Sequence, residues 1–373
     1  MLVISSAPFI QNNDAFFAYA PYVKELEIWQ KNVDEIHFCC PFWDNSRGLL
    51  ISEIPFKIQA IHRSFDFEFT SFLKICATIP KIVSNFFILF NAISKADAIH
   101  LRCPGNLSLL ACLVQIFFPN KIKTAKYAGN WDPNAVQPWS YKMQKWILSN
   151  TFFTRNMTVL VYGEWKNQSK NIKSFFTATY SKDEIFEIEN KSLQFEIKFL
   201  FVGTLSFGKQ PMYALQIVHE LLKNKKNVLL TFCGEGDERQ RLSDYVIDNQ
   251  LEKFVSIVGN KTNEQIKLYY QQCNFLILPS KSEGWPKVVA EAMIWKCLPI
   301  ATAVSCVKTM LDQDNRGLIL TMNIDDDIKK ISALIENEPK YFKKTNLAFD
   351  WSKQYTTDFF ESEIKLLLQK KSF

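Results

Sequence analysis

KSEGWPKVVAEAM, running from Lys281 to Met293, joins a buried strand, a turn and the start of a helix. Immediately before it, Asn274 to Pro279 (NFLILP) is an apolar run of the length expected of a strand covered on both faces, which points to a parallel sheet. Pro286 suits the first helical position, where its fixed φ helps and its missing N–H is not needed. A helix is therefore expected from Lys287 to Lys296, with Val288, Val289, Ala292 and Trp295 on its apolar side. Glu283 then falls in the loop at the carboxyl end of the strand, and Glu291 lies about one and a half turns into the helix. In open α/β sheets ligands bind outside the carboxyl ends of the strands, where a helix N-terminus offers N–H groups and partial positive charge to an anion. Two glutamates eight residues apart would by themselves read as a solvated loop acid and a surface helix acid. Their setting argues otherwise: Gly284 permits close backbone approach, and Glu291, between Ala290 and Ala292, needs a partner for its charge.

The chain has 373 residues, 47% of them hydrophobic, which suits two cores rather than one. Its net charge of +6 comes from acids and bases mixed along the sequence. There is no arginine-rich stripe, zinc spacing or aromatic-basic repeat, so no nucleic-acid partner is expected. Mild basicity and Phe-rich segments leave a peripheral contact with an anionic membrane surface open, although core packing accounts for most phenylalanines. The nine cysteines include no CxxC pair, and several lie in apolar runs, as reduced thiols of a cytoplasmic protein would. Met1 to Ser6 lacks a basic region and is too short for a signal peptide. The longest apolar stretch, Leu107 to Pro119, falls well short of the roughly 20 residues needed to span a bilayer.

The run SEGWPKVVAEAM, with the preceding LPS and the following PIAT, resembles the Glu-x7-Glu signature of retaining glycosyltransferases of the sucrose-synthase and mannosyltransferase-like family (glycosyl transferases group 1). The resemblance implies a GT-B fold, two α/β Rossmann-like domains with parallel sheets facing each other across a cleft. The corresponding domains are 1–190 on the acceptor side, 191–350 on the nucleotide-sugar donor side, and 351–373 as a carboxy-terminal helix packing back on the first.

In the first half, a strand at Leu2–Ile4, a polar turn at Gln11–Asp14 and an amphipathic helix near Ala15 to Gln30 open an alternation of strands and helices that implies βαβ units. Further strands are expected near Glu35–Cys40, Ile58–His62, Ala98–Leu101 and Met157–Tyr162. Two loops offer acceptor-side candidates. One holds His100 and Arg102, where relatives often carry a histidine near the sugar; His100 alternates with apolar neighbours and reads equally as a core residue. The other, Lys126 to Pro133, has Ala128 where many relatives have histidine. It offers Asn130 and Asp132, although Asp before Pro is also an ordinary turn starter.

In the second half, the strand Lys198–Gly203 runs into a turn and a helix from Tyr213 to Lys223. Gly203 lets the backbone close on a phosphate, and Lys209 supplies charge. Lys209 matches the family's phosphate-binding lysine, while Thr204 occupies the place of the usual arginine. Gly234 to Asp237 matches the glycine-acid-glycine turn, and Val258 lies where relatives hold the nucleotide base by backbone groups. Asp325, Asp326 and Asp327 read as a helix start rather than a metal motif.

The resemblance implies a retaining, hexosyltransferase-type reaction moving a sugar from a nucleotide-diphosphate sugar to a hydroxyl acceptor, a glycan or lipid-linked chain, in polysaccharide or glycolipid biosynthesis. The donor residues it implies are Gly203, Thr204, Lys209, Gly234, Val258, Glu283, Gly284, Trp285, Pro286, Lys287, Val288 and Glu291, with Lys209 and Glu283 catalytic and no metal or other cofactor expected. The location implied is the cytoplasm or the inner face of the plasma membrane. The rival readings are a non-catalytic nucleotide-sugar-binding subunit, or a GT-B nucleotide-sugar epimerase or hydrolase.

Overall fold

The structure, a computed structural model, describes residues 1–67 and 72–369, with side chains in the latter stretch from residue 78. The Cys76 side chain and the end of the expected 351–373 segment lie outside these described parts. The chain forms two compact units, one built from Met1–Phe175 and the chain from Phe360 onward, the other from Phe176–Phe359. The first passage between them thus precedes the expected boundary at 190. The cause is visible in the second unit: the segment after Phe176 has little regular structure, yet it is fastened there. Tyr180 and Leu193 are buried, Lys191 Nζ donates to Trp295 O, and Leu193 N donates to a Glu338 carboxylate oxygen at 2.7 Å. The return passage falls inside the helix Thr357–Gln369 rather than at 351.

In the first unit, seven parallel strands lie in the spatial order Ala60–Ser64, His37–Trp43, Leu2–Ser5, Ala98–Cys103, Ile122–Tyr127, Met157–Tyr162, Ile172–Phe175. Successive side chains of a strand point to opposite faces. Accordingly Leu2 and Ile4 enter one core with Leu101 and Val159, while Val3 enters another with Phe38 and Leu26. The helix expected to begin near Ala15 begins at Ala20. Before it, Phe9–Asn12 and Ala15–Tyr19 pair as an antiparallel hairpin around Asn13, whose φ is 51°. Asparagine tolerates that conformation, and the phenylalanines that follow favour strand over helix.

The second unit has six strands, all parallel, in the order Val255–Ile257, Val228–Cys233, Ile197–Val202, Phe275–Leu278, Leu298–Thr302, Leu318–Leu320. Numbered along the chain this is 3-2-1-4-5-6, the doubly wound arrangement, whose winding direction reverses between its first and fourth strands. The fourth strand is covered along its whole length. Phe275, Leu276, Ile277 and Leu278 are buried, and Phe275 stacks on Phe199 across the pair with ring centroids 5.1 Å apart. Cutting Phe275 to alanine would cost about 3–5 kcal/mol by the usual transfer and cavity terms.

Candidate active site

The carboxyl ends of Ile197–Val202 and Phe275–Leu278 flank the point where the sheet reverses, and the loops leaving them are joined. Lys281 N donates to Gly208 O at 2.8 Å, and the Lys281 ammonium lies over the Phe207 ring at 3.3 Å. Beside this backbone tie, Lys209 Nζ forms an ion pair with Glu283 Oε1. Glu283 is 9% exposed, so its charge depends on that partner, whereas Lys209 retains access to solvent with 28% of its side chain exposed. A lysine held by a buried carboxylate, at the mouth of a parallel sheet, can exchange that partner for an anionic ligand.

The rest of the mouth is built from glycine turns. Gly203 has φ 144°, a region L side chains rarely adopt. A Cβ on Gly234 would lie 1.9 Å from Gly203 O. Gly203 N donates to Cys233 O at 3.0 Å, Gly234 N to Gly259 O at 2.9 Å, and Val258 N to Phe232 O at 3.0 Å. Gly203, Gly234 and Val258, singled out in the sequence, therefore share one rim formed by the ends of three adjacent strands. Thr204 is exposed beside it.

The loop carrying Glu283 is held from its other side. Ser305 Oγ and Cys306 Sγ, following the strand Leu298–Thr302, both reach Gly284 O, at 3.2 and 3.0 Å. The next helix spans Lys287–Ile294, shorter than expected. Pro286 is its N-cap rather than its first residue, with ψ 94° and a carbonyl that accepts from Val289 N at 3.0 Å. Lys287 and Val288 are half-buried in its first turn. The Trp285 indole packs among aromatic rings, 5.2 Å from Tyr355 and 6.3 Å from Trp351 by centroid.

Glu291, one turn on, has different partners. Its Oε2 accepts from Tyr270 OH at 3.0 Å and its Oε1 from Thr179 Oγ1. The two glutamates of the motif thus differ in what they hold, Glu283 a lysine and Glu291 two hydroxyls. Sequence reading missed Thr179, Tyr270, Ser305 and Cys306. They come from separate segments with no shared spacing, and only the sheet order brings them near the motif.

The acceptor-side candidates of the first unit divide. His100 is 1% exposed, its Nδ1 lies 2.8 Å from Thr124 Oγ1, and its ring packs on Trp29 at 4.1 Å. Burial lowers its pKa to about 3. A neutral, enclosed imidazole of this kind is a core residue, which corrects its reading as an acceptor contact. Arg102 bonds Glu25 Oε1 at 3.1 Å, and buried Lys126 holds Glu25 Oε2 at 2.8 Å. Two cations thus close on one carboxylate, an arrangement missed because Glu25 lies so far from the strands in sequence. Asp132 Oδ1 accepts from Asn134 N at 2.8 Å and Asn130 Oδ1 from Asp132 N at 2.9 Å. Both side chains are therefore engaged in turn-forming bonds.

Asp325 and Asp326 sit in the first turn of the helix Ile324–Ile335, both amides bonded to the Asn323 side chain. Asp327 is buried and takes bonds from Tyr213 OH, Thr321 and Met322 N. Each acid of the run has a structural explanation. Among the described residues, no cluster of three or more His, Cys, Asp or Glu side chains is arranged to hold a metal ion.

Residues 181–349 match the family profile described as Glycosyl transferases group 1. The second unit carries a glycosyl transferases group 1 domain. An uncharacterized glycosyltransferase of Haemophilus influenzae is 29% identical over 178 residues, 47% of this chain and 48% of that protein. In Campylobacter jejuni, the GalNAc-alpha-(1->4)-GalNAc-alpha-(1->3)-diNAcBac-PP-undecaprenol alpha-1,4-N-acetyl-D-galactosaminyltransferase is 28% identical over 201 residues, 52% of this chain and 53% of that one. The chain thus matches about half the length of these curated relatives. Anabaena HepE, solved in complex with UDP and glucose, superposes with a TM-score of 0.70 at 11% identity, covering 99% of both chains. Beyond the group 1 domain, this likeness extends over both units, and the fold is GT-B, with two Rossmann-like units built on parallel sheets.

Proposed function

We propose that the chain is a retaining glycosyltransferase of the hexosyltransferase type, taking a sugar from a nucleotide-diphosphate donor to a hydroxyl of a glycan or lipid-linked acceptor. The observation that carries this reading is the Lys209–Glu283 pair at the reversal point of a 3-2-1-4-5-6 sheet, within a glycosyl transferases group 1 domain. Breaking the anomeric bond puts negative charge on the leaving diphosphate and positive charge on the sugar. In this reading Lys209, with backbone amides of the Gly203 turn and the helix start at Lys287, stabilises the diphosphate by preorganised electrostatics. Glu283, relieved of its lysine by the diphosphate, holds sugar hydroxyls and faces the developing positive charge. Glu291 holds the ribose; a carboxylate has about four acceptor sites, and Tyr270 and Thr179 use two and fix its orientation. Lys209 supplies the charge that would otherwise call for a metal, so the reaction is proposed to be metal-independent. The polyprenol-linked name of the Campylobacter relative supports the lipid-linked choice of acceptor. Among the described residues eight cysteines are free and buried, which supports a reducing, cytoplasmic location.

The test begins with a thermal-shift screen of nucleotide sugars, since a bound donor raises apparent stability by mass action. Transfer is then followed with the best donor, with and without chelator, and the anomeric configuration of the product is read by NMR. Glu283→Gln and Glu291→Ala are each expected to cut transfer at least about a hundredfold without unfolding the protein. Near-normal turnover in both, or an inverted product, would refute the proposal. Donor binding with no transfer to any acceptor would favour the binding-subunit reading, and donor consumed alone would favour a hydrolase or epimerase.

A further inference from the structure

The even mixture of charges read over the whole chain conceals a local imbalance. Between residues 72 and 156 there are ten lysines and arginines, two aspartates and no glutamate; Arg102 and Lys126 are taken up by Glu25 and Lys123 is buried, whereas Lys81, Lys95, Lys142 and Arg155 are exposed, against Asp97 alone among the acids. On the helices of this same stretch, large apolar side chains face solvent. Val83, Phe87 and Phe90 form one stripe of the helix Phe72–Lys95 at spacings of four and three, with 49%, 65% and 40% of their surfaces exposed. Phe117, 62% exposed, extends the stripe, its ring 6.2 Å from Phe90. Trp146 and Phe152, 61% and 69% exposed, flank Phe153, each 5.6 Å from it by centroid. Hydrogen bonds join the two groups: Gln115 Nε2 donates to Phe153 O and Asn156 Nδ2 to Pro119 O, both at 3.0 Å. Cations stand among these rings. The Arg155 guanidinium lies over Phe152 at 5.2 Å, Lys142 precedes Trp146 by one turn, and Lys95 follows Phe90 on the same helix; both lysines are exposed.

We propose that this face of the first unit docks on an anionic lipid surface, with the phenylalanines and Trp146 entering the headgroup region and the lysines and Arg155 meeting lipid phosphates. Exposed apolar patches rimmed by cations are what such a surface selects, and long cationic side chains keep their charge at headgroup level while their stems cover apolar area. The charge imbalance chooses the occupant. A second copy of the chain would bring the same basic excess against itself, whereas an anionic bilayer complements it. Among the described residues no helix is long and apolar enough to cross a membrane, so the contact is peripheral. The inference goes beyond the transferase reading and is tested without donor or acceptor.

Full-length protein is sedimented with vesicles of phosphatidylcholine alone or mixed with phosphatidylglycerol, at low and high salt. Binding to the mixed vesicles, weakened by salt, is expected. Each cation near an anionic surface changes partition by about fivefold. Lys95→Glu with Lys142→Glu is therefore expected to lower binding at least about tenfold, and Phe87→Ser with Phe117→Ser comparably, with thermal midpoints unchanged. The lysine pair decides the matter should the phenylalanine pair unfold. The proposal is overturned by absent binding at low salt, by equal binding to neutral vesicles, or by lysine variants that bind as the parent does. It is also overturned by a dimer in light scattering that the phenylalanine variants dissolve, or by RNA binding of similar strength.

Discussion

Replacing Lys209 by methionine removes the partner of a carboxylate that is 9% exposed. Deleting one member of a fully buried pair costs about 3–5 kcal/mol, and exposed pairs are worth about 0.2–1 kcal/mol. With 28% of the lysine side chain open to solvent, this pair lies between, and Lys209→Met should cost about 1–3 kcal/mol. The reverse change, Glu283→Gln, is milder, about 0.5–1.5 kcal/mol, because the freed lysine can swing into water and the amide can still accept a hydrogen bond. The asymmetry is the signature of one buried and one accessible partner. Urea unfolding of the parent, both single variants and the double variant gives the coupling energy, expected at about 1–2 kcal/mol. Donor turnover of the folded Lys209→Met protein should fall about a hundredfold. Equal costs for the two single changes with coupling below about 0.3 kcal/mol would show that the pair does not persist in solution. Undiminished turnover would remove Lys209 from the chemistry.

Further outcomes concern His100, the buried cysteines and Asp327. His100→Ala should lose about 2–4 kcal/mol of stability, for a buried ring and its bond to Thr124, and leave turnover per folded molecule unchanged; a specific loss of turnover would restore His100 to the acceptor site. In the unfolded chain His100 binds a proton near pH 6.5 and in the fold only near pH 3. Its contribution is present above 6.5 and lost as pH falls through that window, so a Tm profile of His100→Asn against the parent should converge toward pH 3. Burial raises the Cys39 and Cys306 thiols to about 12 from a usual 9.0, so the unfolded chain releases these protons first and stability falls as pH rises from 9 toward 12. The native protein should correspondingly resist thiol reagents at neutral pH until denaturant is added, and ready labelling without denaturant would count against this burial. Asp327→Ala, which strands Tyr213 and the backbone at Thr321 and Met322, should cost about 2–4 kcal/mol in urea unfolding, whereas Asp325→Ala should cost no more than about 1 kcal/mol.

The second unit was legible because its strands are short apolar runs: those expected at Lys198–Gly203 and Asn274–Pro279 stand at Ile197–Val202 and Phe275–Leu278. The first unit was read less well at Ala15–Tyr19, where the strand preference of Phe16 and Phe17 is too small by itself to set aside an amphipathic helix and pairing with Phe9–Asn12 decides. At the candidate site, the motif supplied Lys209 and Glu283 as separate residues. Their contact depends on strand order, which periodicity does not encode. Thr179 and Tyr270 were invisible for the same reason, as was Glu25, whose partners Arg102 and Lys126 lie 77 and 101 residues further along the chain. Two lysines of Ile122–Tyr127 read as surface by composition; the Glu25 carboxylate makes the burial of Lys126 tolerable, and oxygens of Gln115 and Phe118 that of Lys123.

The closeness of Gly234 to Gly203 O has a thermodynamic consequence. Because these turns are latched main chain to main chain, their ordering entropy is spent during folding and none is left to lose when a ligand docks. Association there should be fast and show little rearrangement on calorimetry, and discrimination among ligands should arise from static fit. A methyl group at position 234 would unfasten the latch, slackening the rim without touching any ligand atom.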